Sequence, residues 1–220
     1  MSESSSIGYQ IRNLLIAKGI ETPMLPNLDM TATQTQDVIR QEFQTIMVRM
    51  GLDLNDDSLL ETPKRVAKMY CEEIFWGLDY DNFPKITVIE NKMRYDEMLV
   101  TKCAVLSMCE HHFVPFIGTA HIAYIPSTKI LGLSKFNRVT DFFARRPQVQ
   151  ERLTAQVHTA LEYILDTDDI AVVIKAIHYC VHLRGVKDST SSTVTSKLSG
   201  KFRDQPEVRA EFLALTRNGG

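Results

Sequence analysis

The chain has 220 residues, 44% hydrophobic and 24% charged, with a formal net charge of −2, the composition of an ordinary soluble globular protein. That charge offers no electrostatic case for a nucleic-acid or membrane partner, and no apolar run is long enough for a spanning helix. The start, Met-Ser-Glu-Ser-Ser-Ser, lacks the basic and apolar regions of a signal peptide, so the four cysteines are expected as reduced thiols in the cytoplasm.

Residues 1–6 read as a polar tail. Ile7, Ile11, Leu14 and Leu15 then share a helical face, with Gly19 as a stop. Glu21, Thr22, Pro23 and Pro26 mark an irregular connection. A second helix carries Val38, Ile39, Phe43, Ile46, Met47 and Met50 and ends at Gly51. A third opens with Thr62 as cap and Pro63 at its first position, and continues through Val66, Met69, Tyr70, Ile74 and Phe75 to Gly77.

The texture then turns to β-branched and aromatic residues. Lys85 to Glu90, Met98 to Met108 and Thr119 to Ile125 read as strands. Helices follow over Lys135 to Arg145 and Val149 to Leu165, separated by Pro147. Ala171 to Leu183 reads as one long strand. The run Ser189 to Ser196, with Thr190, Thr193, Val194 and Thr195, reads as another. A last helix spans Pro206 to Arg217, with Val208, Phe212 and Leu215 on one side. The order β-β-α-α-β-β predicts an α+β fold, an antiparallel sheet backed by helices. A helical region over residues 1–95 precedes this unit over 96–220.

Cys109 and His112 have the Cys-x-x-His spacing that lets one turn aim two side chains at one ion, and Cys180, two residues after His178, is the natural third ligand. Zinc accepts this donor set, and three protein ligands leave a position open for water, the arrangement of a catalytic site. If β-alternation continues through Cys180, His178 points to the same side and stands beside that position, where an imidazole can move protons near neutral pH. His111 neighbours a ligand, and Glu110 is placed to orient a ligating histidine. A lone Cys-x-x-His is weak by itself. His182 fits a surface role equally well, His121 and His158 sit in ordinary patterns, and Cys71 and Cys103 read as small buried hydrophobes.

Arg65 and Lys68 share one helix face, Lys135 and Arg138 repeat that spacing, and Arg184 follows the His178/Cys180 segment. Each pair alone reads as a solvated face, and together they could bind a polyphosphate. No Walker or Gly-x-Gly-x-x-Gly loop is present. Gln150 and Glu151 open a helix, where Glu151 either complements the dipole or accepts N–H groups from a guanine edge.

The motifs Cys-Glu-His-His-Phe-Val-Pro-Phe (109–116), His-Ile-Ala-Tyr-Ile-Pro (121–126), Gly-Leu-Ser-Lys (132–135), Arg-Arg-Pro-Gln-Val-Gln-Glu-Arg (145–152) and His-Tyr-Cys-Val-x-x-Arg-Gly (178–185) resemble the zinc-dependent GTP cyclohydrolase I family. The resemblance spans roughly residues 35–218 in unbroken order, and the stretch 82–87 looks like the bacterial form. It implies a tunnelling fold and a homodecamer of two stacked pentamers with active sites between subunits. It also implies a reaction: GTP and water give 7,8-dihydroneopterin triphosphate and formate, the entry to folate or tetrahydropterin synthesis. By motif, Cys109, His112 and Cys180 would hold zinc, and activated water would attack C8 of guanine. His178 would donate and accept protons, with His111 assisting and Ser134 acting on the ribose side. Glu151 would anchor guanine with Gln150 beside it. Lys135, Arg138 and Arg184 would bind the triphosphate, joined by Arg65 and Lys68. Val181-His182-Leu183 departs from relatives that carry Met after the Cys. Two alternatives stand beside this enzyme: a pterin-binding sibling of the same fold, and a closed structural zinc site. A deaminase is disfavoured, since its His-x-Glu and Pro-Cys-x-x-Cys pair is absent.

Overall fold

A computed structural model describes residues 6–25 and 30–218. The expected tail falls outside these residues except for Ser6, which instead caps helix α1 (Ile7–Ala17) by accepting from the Tyr9 amide. Pro26 also falls outside them. α1 buries Ile11 and Leu15 completely and stops at Gly19, whose φ of +68° suits glycine. α2 (Ala32–Arg49) starts with a reciprocal Thr31/Gln34 capping box. Its apolar face is only partly used, since Met47 is buried while Val38, Ile46 and Met50 are exposed. α3 (Thr62–Lys68) has Glu61, not Thr62, at the cap position, with no side-chain cap bond; Pro63 lies in its first turn. The expected helical continuation to Gly77 changes pitch instead, through a π turn at Met69–Ile74 and a 3-10 turn at Trp76–Leu78.

The strand expected over 85–90 is shorter, β1 (Val88–Glu90), paired with β4 (Lys129–Leu131). The main sheet has the order β5-β2-β3-β6-β7, formed by β2 (Leu99–Cys109), β3 (Pro115–Tyr124), β5 (Pro147–Gln148), β6 (Ile170–His178) and β7 (Thr193–Leu198). All its pairings are antiparallel except the short β2/β5 contact, which sets Cys109 against Gln148. β3 begins four residues earlier than expected, and β6 ends five residues earlier, where Tyr179–His182 forms a helical turn, α6.

The ββααββ order is therefore realised, with α4 (Leu133–Ala144) and α5 (Gln150–Leu165) across one face. Inward residues Cys103, Val105, Ser107 and Cys109 of β2 alternate with outward Lys102, Ala104 and Leu106. They meet Phe136, Val139, Phe142 and Phe143 of α4 and Leu153, Val157 and Leu161 of α5 in one core that also takes in Ile11 and Leu15. α7 (Lys201–Asp204) and α8 (Pro206–Asn218) cover part of the other face, where Phe202 and Phe212 bury against Ala123 and Ala171. On α8, Phe212 carries that packing, Val208 is half-buried and Leu215 is exposed. Leu106, Ile117 and Ile177 on this face remain exposed. Among the described residues, no helix is long and apolar enough to cross a membrane.

The main sheet has two well-separated ends. Cys109 and the following turn lie at one. Leu99 and Tyr124 lie at the other, an 11-residue strand away, which is roughly 30 Å or more at about 3.3 Å per residue. α4 runs along this length. Its start follows Leu131, whose amide donates to the Tyr124 hydroxyl (3.3 Å), and its last residue, Ala144, accepts from Ser107 Oγ (2.6 Å).

Candidate metal centre

Cys109 is the last residue of β2 and points inward. The chain then turns tightly: Phe113 N donates to the Cys109 carbonyl at 2.8 Å, and Cys109 N to the Val114 carbonyl at 2.9 Å. Phe113 closes the turn with φ +50°, a left-handed conformation that costs a non-glycine residue on the order of 1–3 kcal/mol. Its ring packs on Phe75 (5.3 Å between centroids) and Tyr70 (6.1 Å) from the π turn, which offsets that cost. His112 is thereby presented beside Cys109.

Cys180 arrives on α6, not on a strand. The alternation argument for His178 and Cys180 therefore fails, yet the three side chains converge. The ligand atoms of Cys109, His112 and Cys180 lie within 4.8 Å of one another and can hold a metal ion. All four cysteines are free thiols. Burial first, and then the adjacent Cys109 thiol, push the Cys180 thiol above its ordinary range, a penalty that a bound cation reverses by favouring thiolate. Arg184 Nη1 donates to His112 Nε2 at 2.7 Å, which brings this expected phosphate-binding residue to the cluster.

His178 ends β6 with its ring stacked on Phe116 (4.7 Å, 14°). Its Nε2 lies 2.7 Å from Gln150 Oε1. The buried Gln150 amide can face only one way, because its Nε2 donates to the Ile174 carbonyl (2.9 Å), the Thr193 carbonyl (3.2 Å) and Thr195 Oγ1 (3.0 Å). Oε1 is thus the acceptor, and His178 carries its proton on Nε2, which leaves Nδ1 as the basic atom. Burial lowers the His178 pKa and the nearby Glu151 carboxylate raises it, the first effect being larger. Gln150, expected beside a guanine anchor, has its donors engaged inside the chain. Glu151 is exposed in the first turn of α5.

His111 Nδ1 is 3.8 Å from Cys109 Sγ, and its Nε2 is 4.0 Å from Glu110 Oε1. Glu110 therefore faces His111 and not the candidate ligand His112, so the expectation that it orients a ligating histidine is not met; its other oxygen accepts from Arg152. His182 ties the following loop through the Ser191 carbonyl (3.0 Å), His158 is buried in the core, and His121 faces outward on the sheet. Cys103 is buried as expected, whereas Cys71 is only half-buried. Arg65 and Lys68 are exposed on α3, which leads into the Tyr70 turn that packs on Phe113. Ser134, Lys135 and Arg138 lie in the first turns of α4, at the opposite end of the sheet from the triad.

The profile of a family described as GTP cyclohydrolase I matches residues 39–217. A GTP cyclohydrolase 1 of Aeromonas salmonicida (strain A449) is 54% identical over 214 residues, covering 97% of this chain and 98% of the relative. A GTP cyclohydrolase 1 of Shewanella sp. (strain W3-18-1) is 55% identical over 210 residues, 95% and 98% respectively. Among solved structures, apo archaeosine synthase QueF-Like aligns with a TM-score of 0.40 and 16% identity, over 47% of this chain and 93% of that one.

Proposed function

The chain belongs to the GTP cyclohydrolase I family, and we propose that it works through Cys109, His112 and Cys180 as zinc ligands with His178 as the proton-transfer residue. It opens the imidazole ring of GTP by hydrolysis, releases formate and rearranges the product to 7,8-dihydroneopterin triphosphate, the first step of folate biosynthesis. The observation that carries the site assignment is the convergence of two thiols and an imidazole within 4.8 Å from segments far apart in the chain. Thiolate and imidazole donors suit zinc, and three of them leave a coordination position open. Zinc supplies Lewis acidity, which makes water a nucleophile near neutral pH.

The protein's own groups do the rest. His178 uses Nδ1 to give and take the proton as the guanine ring opens, and Gln150 and Phe116 hold its ring in place. His111 assists from beside Cys109. The Glu151 carboxylate accepts guanine N–H groups. Arg184, Lys135 and Arg138, with Arg65 and Lys68, neutralise the triphosphate, and Ser134 serves the ribose rearrangement. In one chain the triad and the Ser134/Lys135/Arg138 group lie at opposite ends of the sheet, so a complete site needs a second subunit. A homodecamer of two pentamers, with sites between subunits, accommodates this separation and offers cover for Leu106, Ile117 and Ile177. Residues 96–220 form the catalytic T-fold, 1–95 the helical region, and the assembly resides in the cytoplasm.

Formate is the discriminating product, because a pterin-binding sibling releases none. Zinc-loaded protein given GTP is expected to form pterin and formate in equal amounts. Neither product, or pterin without formate, contradicts the assignment.

A further inference from the structure

Arg152 closes the motif at 145–152 and has no role in the reaction as described. Its guanidinium donates to Glu110 and, through Nε, to Gln148 Oε1 at 3.0 Å, with the Pro147 carbonyl at 3.4 Å. Gln148 Nε2 donates to the Phe143 carbonyl (2.8 Å) and to Gln156 Oε1 (2.7 Å), and Gln156 Nε2 donates to the Ile20 carbonyl (2.8 Å). Gln148 and Gln156 are fully buried. The side chains of Arg152 and Glu110 are 13% and 28% exposed.

The direction of this chain is set at both ends. Arginine can only donate and a backbone carbonyl can only accept, so neither glutamine amide can turn over without placing two donors or two acceptors face to face. A buried network with all members satisfied is rigid. At its far end is Ile20, just after α1. At its near end is Glu110, between Cys109 and His111. The backbone adds a second tie there, since Glu110 N donates to the Gln148 carbonyl at 3.0 Å and Cys109 is paired with Gln148.

We infer that Arg152, backed by Gln148 and Gln156, is a positioning residue that holds the Cys109–His112 turn in its metal-binding geometry and anchors it to the segment after α1. The inference rests on the metal-site reading above. Outer partners that orient ligands contribute typically 10- to 100-fold to metal affinity. Electrostatics alone predicts the opposite sign, because removing a cation near a metal and freeing the Glu110 carboxylate both favour cation binding.

The test is Zn2+ affinity of the full-length protein, by competition with a chromophoric chelator, with circular dichroism and assembly size measured on the same samples. Arg152→Met is expected to lose roughly 10- to 100-fold in zinc affinity while remaining folded. Gln156→Met, which changes no charge, is expected to lose affinity in the same direction by a smaller factor. Arg152→Lys keeps the charge but cannot serve Gln148 and Glu110 with one planar fork; it is expected to lie between wild type and Arg152→Met, and it decides the matter if Arg152→Met does not fold. Zinc affinity unchanged or higher in folded Arg152 variants overturns the inference. Failure of the unsubstituted protein to bind zinc, or undiminished binding by Cys180→Ser, overturns the metal reading and the inference with it, and is recognised because it appears with Arg152 intact.

Discussion

His178 depends on neighbours that leave it one tautomer and one free nitrogen. Its ring lies on Phe116 and its Nε2 proton points into Gln150, so in the proposed mechanism substitution would remove proton transfer without touching Cys109, His112 or Cys180. His178→Ala is expected to retain zinc while turnover falls roughly 100- to 10,000-fold; metal analysis and GTP turnover on one preparation check this. A second histidine, His158, contributes to the loss of stability in acid. Burial, and secondarily Lys197 and Lys18, push His158 down to about 4 against the opposing Ile170 carbonyl, while the unfolded chain protonates near 6.5. Between those values the unfolded state binds the extra proton, so the contribution is complete above 6.5 and is lost as pH falls toward 4, roughly 3 kcal/mol in all. Denaturant midpoints at pH 7, 5 and 4 should show this fall, and His158→Gln should flatten it. The triad itself was readable from Cys-x-x-His and a distant His-x-Cys. The partners of Glu110 and His178 were not, because they depend on which amide and guanidinium groups meet across the sheet.

At the scale of elements, the close approach of β3 and β6 is what aligns the two halves of the site. A Cβ on Gly118 would fall 2.0 Å from the Lys175 carbonyl and 2.7 Å from Ala176 Cβ. Gly118→Ala must therefore spread the strands, at a cost of about 1–3 kcal/mol, and a lowered thermal midpoint with the assembly otherwise intact is the expected reading. Strand and helix periodicities placed β2, α4 and α5 to within two residues, since each buries a long regular face, and missed the first four residues of β3. They misjudged β6, where the apolar and β-branched texture continues through Val181 although the backbone turns helical at Tyr179. They also missed the π turn at Met69–Ile74, where Tyr70, with Phe75 just after the turn, reaches across to Phe113. The last two departures occur where the chain bends to deliver Cys180 or to brace the Cys109–His112 turn, so tertiary contacts outweigh local pattern there.

In the whole molecule, Ser134, Lys135 and Arg138 lie at the far end of the sheet from Cys109, so the proposed site predicts that activity is a property of an assembly. Arg138→Ala and Cys180→Ser should each be inactive alone, yet mixed assemblies formed by co-expression should regain turnover, because some interfaces then join an intact end from each chain. Absence of recovery in verified mixed assemblies would place both groups in one subunit. In the proposed mechanism, GTP ring opening requires a metal held by Cys109, His112 and Cys180, a group that can hold one. The measurement that tests it most directly is bound metal and pterin formation from GTP, determined together on the wild type and on Cys180→Ser. Loss of both in the variant is predicted, and pterin formation by a metal-free Cys180→Ser protein would contradict the account.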